Sequence, residues 1–469
     1  MNQHYNRAVR INRNLGFFQR KPIFIGLLLF LTLGSWIGLS IKNNYYTVDT
    51  ENQLITEWYE LFLEAERFSE GFRAPVASYI MGYIGMAAYE TAVSSSSGSY
   101  RSLTTILPSY SPNEYCSPHP MHLLVSLNAC YKIMFDRFYI TAPSRLNEKA
   151  QSMFIKWESR LSAGKINQHA LISSREYGFE VAKGVFEYSV SDINGHQPFL
   201  HNYDKHYIPP PGEGKWKVAE EFPMPAVLPH WGKVRPFIIK TNEFLAKPLP
   251  EFSYLPGSEY YTEALEVLTV SSPLSFENKW IAEYWSDDHP GLTFSPSGRW
   301  ISITNQVIKK TQPPISKTLE TYLKIGFALT DASIACWHSK YHYNLDRPES
   351  YIKKVFNNNW QPLFHSPPFP GYPSGHSIFG AVSSVILSQL YGTNYELEDK
   401  SHLGREEFMS KPRKFHSFYE MAFENAFSRI SLGVHYRMDC EEGLRLGFII
   451  GKKISDIQLK SPEYSLNDK

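Results

Sequence analysis

Strand-like alternation of apolar and polar residues is scarce along this chain of 469 residues, and no internal repeat stands out. Those absences argue against a β-sandwich, a barrel or a solenoid as the main architecture. No charge of one sign dominates either: 47 Lys and Arg stand against 46 Asp and Glu, a net +1. That balance supplies no electrostatic footprint for a nucleic-acid partner. Cysteine is sparse, at Cys116, Cys130, Cys336 and Cys440. The spacing matches no zinc pattern and leaves the pairing of Cys116 and Cys130 open. Cys336 and Cys440 lie in apolar stretches and are expected to be small core residues.

Hydrophobic residues, by contrast, make up 43% of the chain, enough for a substantial core. The length exceeds what one core usually serves, so one large or two fused domains are expected. One segment does not fit a soluble domain: "PIFIGLLLFLTLGSWIGLSI", Pro22 to Ile41, is apolar and contains no charge. About 20 apolar residues span a bilayer. Arg7, Arg10, Arg13, Arg20 and Lys21 precede the run, which orients the N-terminus to the cytoplasm. The reading is an uncleaved transmembrane anchor with the remainder on the extracytoplasmic, periplasmic side; export after signal cleavage is the rival. An exported location permits disulfides.

Helical spacing marks "ENQLITEWYELFLEAERF", with Leu54, Trp58, Leu61, Phe62 and Ala65 on one face. It recurs in "ASYIMGYIGMAAYETAV", "HPMHLLVSLNACYKIMFDRFY", "SRLNEKAQSMFIKWESRL" and "HALISSREYGFEVAKGVFEYS". From about Gln197 to Pro256 the chain is rich in Pro and Gly, an irregular connection. Helical patterning resumes at "SEYYTEALEVL", "SFENKWIAEYWS" and "SKTLETYLKIGFALTDASIACWHSKYHY". The fold class is therefore all-α. The expected order is a basic tail (1–21), the anchor (22–41), a linker (42–53), an N-terminal helical half (54–256), a C-terminal helical domain carrying the site (257–460) and a tail (461–469).

Three stretches carry chemistry. "KYHYNLDRP" sets Lys340 and Arg347 seven apart, nearly two helical turns, with Pro348 marking an end to helical geometry near Arg347. "PPFPGYPSGHSIFG" places Ser374 as a helix N-cap, Gly375 where backbone approaches a ligand, and His376 in the first turn. A helix start presents unsatisfied N–H groups and the positive end of a dipole, which favour an oxyanion. "SRISLGVHYRMDCEEG" supplies Arg429, His435 and Asp439, with the His and Asp four apart on one helix face. A carboxylate on one imidazole nitrogen fixes the tautomer and leaves the other nitrogen available as ligand or nucleophile. Each stretch alone has a plain alternative: surface cations, a capped core helix, a local ion pair.

Together they spell Lys-x6-Arg-Pro, Pro-Ser-Gly-His and Ser-Arg-x5-His-x3-Asp, in that order. This combination resembles the phosphatidic acid phosphatase type 2 and vanadium-dependent haloperoxidase superfamily. Every motif position matches. The motif region, Trp337 to Asp439, is under a quarter of the chain, and weaker likeness extends to "GFRAPVASYIMGYIGMAAYE" and "IAEYWSDDHPGLTFSPSGRW". The resemblance implies helical bundles, here two fused, around a bound vanadate or phosphate. It implies that Lys340, Arg347 and Arg429 neutralise the anion's oxygens, while Ser374 and the Gly375 N–H add hydrogen bonds. His435 would bond the central atom, as ligand of vanadate or as phosphoryl-accepting nucleophile. His376 would be the acid–base group, acting on bound peroxide or on a leaving alcohol, and Asp439 would orient His435.

Three features favour the peroxidase branch. Lys317, Glu320, Lys324 and Asp331 on the motif-bearing helix are costly in lipid, against an embedded lipid phosphatase. The chain is long for the soluble acid phosphatases of the superfamily, and its extra half resembles the double-bundle haloperoxidases. Trp337 and Phe369 resemble residues on the halide side of such pockets, although ordinary core packing also accounts for them. The expected activity is oxidation of a halide by hydrogen peroxide. The alternatives are a phosphomonoesterase acting on a phosphate ester through phospho-His435, and a non-enzymatic anion-binding protein. His119, His122, His338 and His342 are read as loop or surface residues, and Asp287 or Asp288 as a support for a site arginine.

Overall fold

Residues spaced at three and four build the first helix, α1 (Val48–Phe68), which buries Leu54, Trp58, Leu61, Phe62 and Ala65. Its N-terminus is capped by Thr47, whose hydroxyl accepts from the Thr50 N–H at 3.3 Å. The computed structural model describes residues 47–461 except 94–99, 112–121, 165–166, 197–199, 219–222, 288–290, 292 and 408. The run Pro22–Ile41, the tails, Cys116, His119 and Asp288 lie outside the described residues. Among the described residues, no helix is long and apolar enough to cross a membrane.

The expected helices are present as α2 (Ala74–Val93), α3 (Leu123–Phe138), α4 (Ser144–Ser162) and α5 (Gln168–Val190), followed by the single turn α6 (Ile193–His196). Later come α7 (Glu259–Ser271), α8 (Phe276–Tyr284), α9 (Pro296–Thr311), α10 (Ile315–Tyr343) and α11 (Pro348–Val355). The chain then forms α12 (Gly375–Tyr391), α13 (Phe418–Leu432) and α14 (Arg437–Ser455). Among the described residues, strand is confined to two short antiparallel pairs. The first pairs β1 (Tyr203–Asp204) with β2 (Ala226–Val227), and the second pairs β3 (Leu397–Asp399) with β4 (Arg413–Phe415). The all-α reading therefore holds. Helices α6, α9, α11 and α13 were not anticipated as elements, and α14 was anticipated only around His435 and Asp439.

Helices α2 and α10 are packed through glycine. A Cβ on Gly326 of α10 would sit 2.8 Å from the Met81 carbonyl oxygen and 2.9 Å from the Gly82 Cα. Only a hydrogen atom fits there, so the two backbones approach closely. Beside this crossing, Tyr59 of α1 stacks on Tyr322 of α10 at 3.7 Å. Asp331, wholly buried on α10, accepts the backbone N–H groups of Phe237, Ile238 and Ile239 at 2.7–2.9 Å. This pins the irregular Pro-rich connection to the helix and satisfies three buried donors at once. Cys130, Cys336 and Cys440 are buried free thiols, as expected for the latter two.

The α2–α10 contact fixes the helix that carries Lys340. Adding one methyl at Gly326 forces the backbones apart, so Gly326→Ala is expected to destabilise the fold by about 1–3 kcal/mol, read as a lowered denaturation midpoint.

Candidate active site

Helix α10 ends on Asn344, which takes the left-handed conformation with φ 51° and donates its N–H to the Lys340 carbonyl at 2.8 Å. Arg347 is then the residue before α11, with Pro348 at the first helical position. Lys340 and Arg347 thus do not share one helix, as their spacing suggested; the turn at Asn344 brings them together. The Lys340 ammonium, fully buried, donates to the Pro370 and Gly371 carbonyls at 2.9 and 2.7 Å. Arg347 donates through Nε and Nη2 to the Phe369 carbonyl at 3.3 and 3.2 Å. Two cations thereby hold the loop that enters α12. They do so from beneath the aromatic rings: the Lys340 Nζ lies 5.3 Å and the Arg347 Cζ 5.1 Å from the Phe369 centroid.

Ser374 caps α12 as expected, its Oγ accepting from the Ser377 N–H at 3.4 Å. Its own N–H donates to the Asp439 carbonyl at 2.9 Å, tying the loop to α14. A Cβ on Gly375 would meet nothing closer than the Trp337 ring at 3.7 Å. Protein packing therefore does not require glycine here. The space a side chain would take lies on the cavity wall, which Gly375 lines.

The last motif straddles a helix start. Arg429 lies in the last turn of α13 and donates to the Trp285 carbonyl at 2.7 Å. Gly433 turns the chain at φ 87°, and Asp439 lies in the first turn of α14. His435 precedes that helix, so the pair is not on one helical face. Their bond forms nonetheless: His435 Nδ1 and Asp439 Oδ2 are 2.9 Å apart, and Oδ2 also accepts the Tyr436 N–H at 3.1 Å. Arg347 Nη1 lies 3.0 Å from His435 Nε2. A guanidinium can only donate, so Nε2 is the acceptor and the ring proton sits on Nδ1, facing Asp439.

Arg347, Arg429, Gly375, His376 and His435 line one cavity of about 610 Å³, with Trp337 and Phe369 on its wall. Those two rings are 5.1 Å apart. Lys340, Ser374 and Asp439 lie behind that wall, not on it. The structure therefore brings all the predicted residues to one place, but as two layers. Burial holds the His435 imidazole well below its usual range, and the neighbouring Arg347, Lys340, Arg429 and His376 push the same way. His435 is neutral, with one nitrogen committed to Asp439. Burial raises the Asp439 carboxyl, against the pull of Lys340 and Arg347. Among the described residues no Asp or Glu lines the cavity. Two arginine forks, a helix start and a neutral imidazole nitrogen fit a tetrahedral oxyanion such as vanadate or phosphate. Binding at Nε2 requires Arg347 to release that lone pair.

Asp287 departs from its expectation, whereas His122 and His342 agree with theirs. Asp287 supports no site arginine; it pairs with Arg299 at 3.3 Å, in a buried cluster with Asp399 and His402. His338 and His342 lie off the cavity wall, and His342 is exposed. His122 precedes α3, and no cluster among the described residues suits a metal ion. Several cavity residues escaped the motif reading, among them Arg73, Ser286, Phe364 and His365. None sits at a diagnostic spacing. The sequence signal was that Arg73 and Ser286 fall within the weaker upstream likenesses "GFRAPVASYIMGYIGMAAYE" and "IAEYWSDDHPGLTFSPSGRW".

Fold and site together define a helical-bundle protein with an oxyanion cradle. A family profile described as the VCPO second helical-bundle domain matches residues 320–461, which span all three motifs. Vanadium chloroperoxidase of Curvularia inaequalis is 26% identical over 282 aligned residues, covering 45% of this chain and 46% of that protein. The match thus spans about half the length of that relative. A structure titled the first bacterial vanadium-dependent iodoperoxidase superposes with TM-score 0.77 and 27% identity, covering 87% of this chain and 97% of the other. A holo-type bacterial vanadium-dependent chloroperoxidase shares the fold at TM-score 0.63 and 15% identity, covering 82% and 91%. The resemblance read from the motifs is borne out.

Arg347 donates to Nε2 and adds positive charge beside it. Arg347→Ala is therefore expected to raise the His435 titration midpoint, followed by NMR of labelled imidazole. An unchanged midpoint would show that Arg347 does not set the charge state of His435.

Proposed function

We propose that this protein is a vanadate-dependent haloperoxidase that oxidises halide with hydrogen peroxide. The observation that carries the reading is the neutral, Asp439-held His435, set in a wall that carries arginine and no described carboxylate. The likeness to haloperoxidase structures supports the peroxidase branch over the phosphatase branch.

When bound, vanadate supplies a Lewis acid that activates hydrogen peroxide toward attack by halide. The chain's own groups do the rest. Arg347 and Arg429 place guanidinium N–H groups on the oxyanion, and the N–H groups at the start of α12 add the positive end of its dipole. His435, through the Nε2 lone pair, would hold the central atom of the bound oxyanion. Asp439 keeps the His435 proton on Nδ1, so that Nε2 keeps its lone pair. Lys340 acts one layer back: it fixes the Pro370–Gly371 carbonyls and adds a buried positive charge. His376, at the helix start on the cavity wall, is positioned to move a proton to or from the reacting oxygen. Trp337 and Phe369 give the halide a weakly hydrated aromatic surface. The uncharged run Pro22–Ile41 with its preceding cations supports export of the catalytic unit as a membrane-anchored protein.

The alternative in the same cradle is phosphate ester hydrolysis with His435 as nucleophile. One preparation separates the two. Vanadate-loaded protein is assayed with peroxide, a phenol dye and chloride, bromide or iodide in turn; unloaded protein is assayed on p-nitrophenyl phosphate. The expected result is halide-dependent dye oxidation that inorganic phosphate suppresses by competing for the cradle. Ester turnover with no peroxidase signal for any halide would reverse the assignment. His435→Ala is expected to remove either activity.

A further inference from the structure

We propose that Arg73 is the residue that draws the halide toward the site, a third arginine of the cavity that the motif set does not contain. The proposal rests on the haloperoxidase reading for the identity of the anion as substrate.

Arg73 and Ala74 line two cavities at once: the candidate active site and a neighbouring one of about 570 Å³. The two differ in charge. The neighbouring cavity carries Glu66, Glu70 and Asp287 beside Arg67. The site cavity carries Arg347, Arg429, His365, His376 and His435 and, among the described residues, no carboxylate. Arg73 stands where mixed charge gives way to positive charge. A low-dielectric cleft lined with one sign concentrates counter-ions.

The guanidinium is also held in a way that preserves its charge. It donates to the Tyr203 hydroxyl, its Cζ 5.7 Å from the centre of that ring. Among the described residues it pairs with no carboxylate, whereas Arg299, Arg413 and Arg437 all do. Its backbone is fixed by the Gly71 turn, φ 92°, with the Arg73 N–H donating to the Gly71 carbonyl at 3.0 Å. The next residue opens α2, and the Arg73 carbonyl accepts the Ala77 N–H at 2.9 Å. A cation at a helix N-terminus is opposed by the helix dipole, which favours an anion there. The guanidinium and the dipole thus favour the same kind of guest, an anion.

The test uses the full chain with Arg73→Gln, Arg73→Lys and Tyr203→Phe. Arg73→Gln is expected to raise the KM for iodide about tenfold, to leave kcat within about twofold, and to flatten the salt dependence of kcat/KM. Vanadate affinity, measured by equilibrium dialysis, should stay within about threefold, because Arg73 lies outside the proposed cradle. Arg73→Lys should restore most of the KM, and Tyr203→Phe, which keeps the charge but removes its hydroxyl partner, should raise the KM less than Arg73→Gln does; a purely structural role would show neither. An unchanged KM in Arg73→Gln, or equal loss in Tyr203→Phe, overturns the proposal. If the wild type oxidises no halide, the parent reading fails and bromide-soaked crystals decide this one separately. A bromide anomalous peak at the Arg73 guanidinium, absent in Arg73→Gln, supports it; no peak there overturns it.

Discussion

Positive charge that is buried and aimed at one imidazole is the constraint on which the rest of this structure depends. Lys340, Arg347 and Arg429 are 0%, 3% and 2% exposed, and His435 is 4% exposed. Buried cations are unfavourable unless partners compensate them. Here backbone carbonyls of Phe369, Pro370, Gly371, Val434 and Trp285 accept their N–H groups. Carbonyls satisfy hydrogen bonds without cancelling charge. Among the described residues the cavity wall carries no carboxylate, so an oxyanion relieves its positive charge, and burial together with that charge keeps His435 neutral.

The helical frame serves this arrangement. The glycine crossing of α2 and α10 and the Asp331 clamp hold α10, and α10 holds Lys340. Lys340 and Arg347 hold the loop before α12, and the Ser374 N–H ties that loop to Asp439. Asp439 in turn fixes His435. A displacement anywhere along this chain of contacts reaches the imidazole. That argues for a site that is shaped before its guest arrives, which is what electrostatic catalysis requires.

Much of this was legible in the sequence because it depends on residue type and order. Ser374 before an apolar helix is a cap in any fold, and Asp439 can reach His435 whether or not a helix contains both. The helical periods of α1 and α10 are strong because their apolar faces are wide. The geometry of convergence was not legible. Spacing put Lys340 and Arg347 on one helix, but Asn344 takes the left-handed conformation that asparagine tolerates and ends that helix before Arg347. Spacing likewise could not say that Lys340 lies behind the cavity wall, since its targets are carbonyls thirty residues on. Arg73 was hidden for the same reason: its partner Tyr203 is 130 residues away.

The most direct test is a crystal structure of the protein soaked with vanadate, read at the vanadium absorption edge. The account predicts one strong peak bonded to His435 Nε2, with Arg347 moved off that nitrogen and onto the anion's oxygens beside Arg429. Vanadium bound elsewhere, or in the cavity with His435 still paired to Arg347, would contradict it.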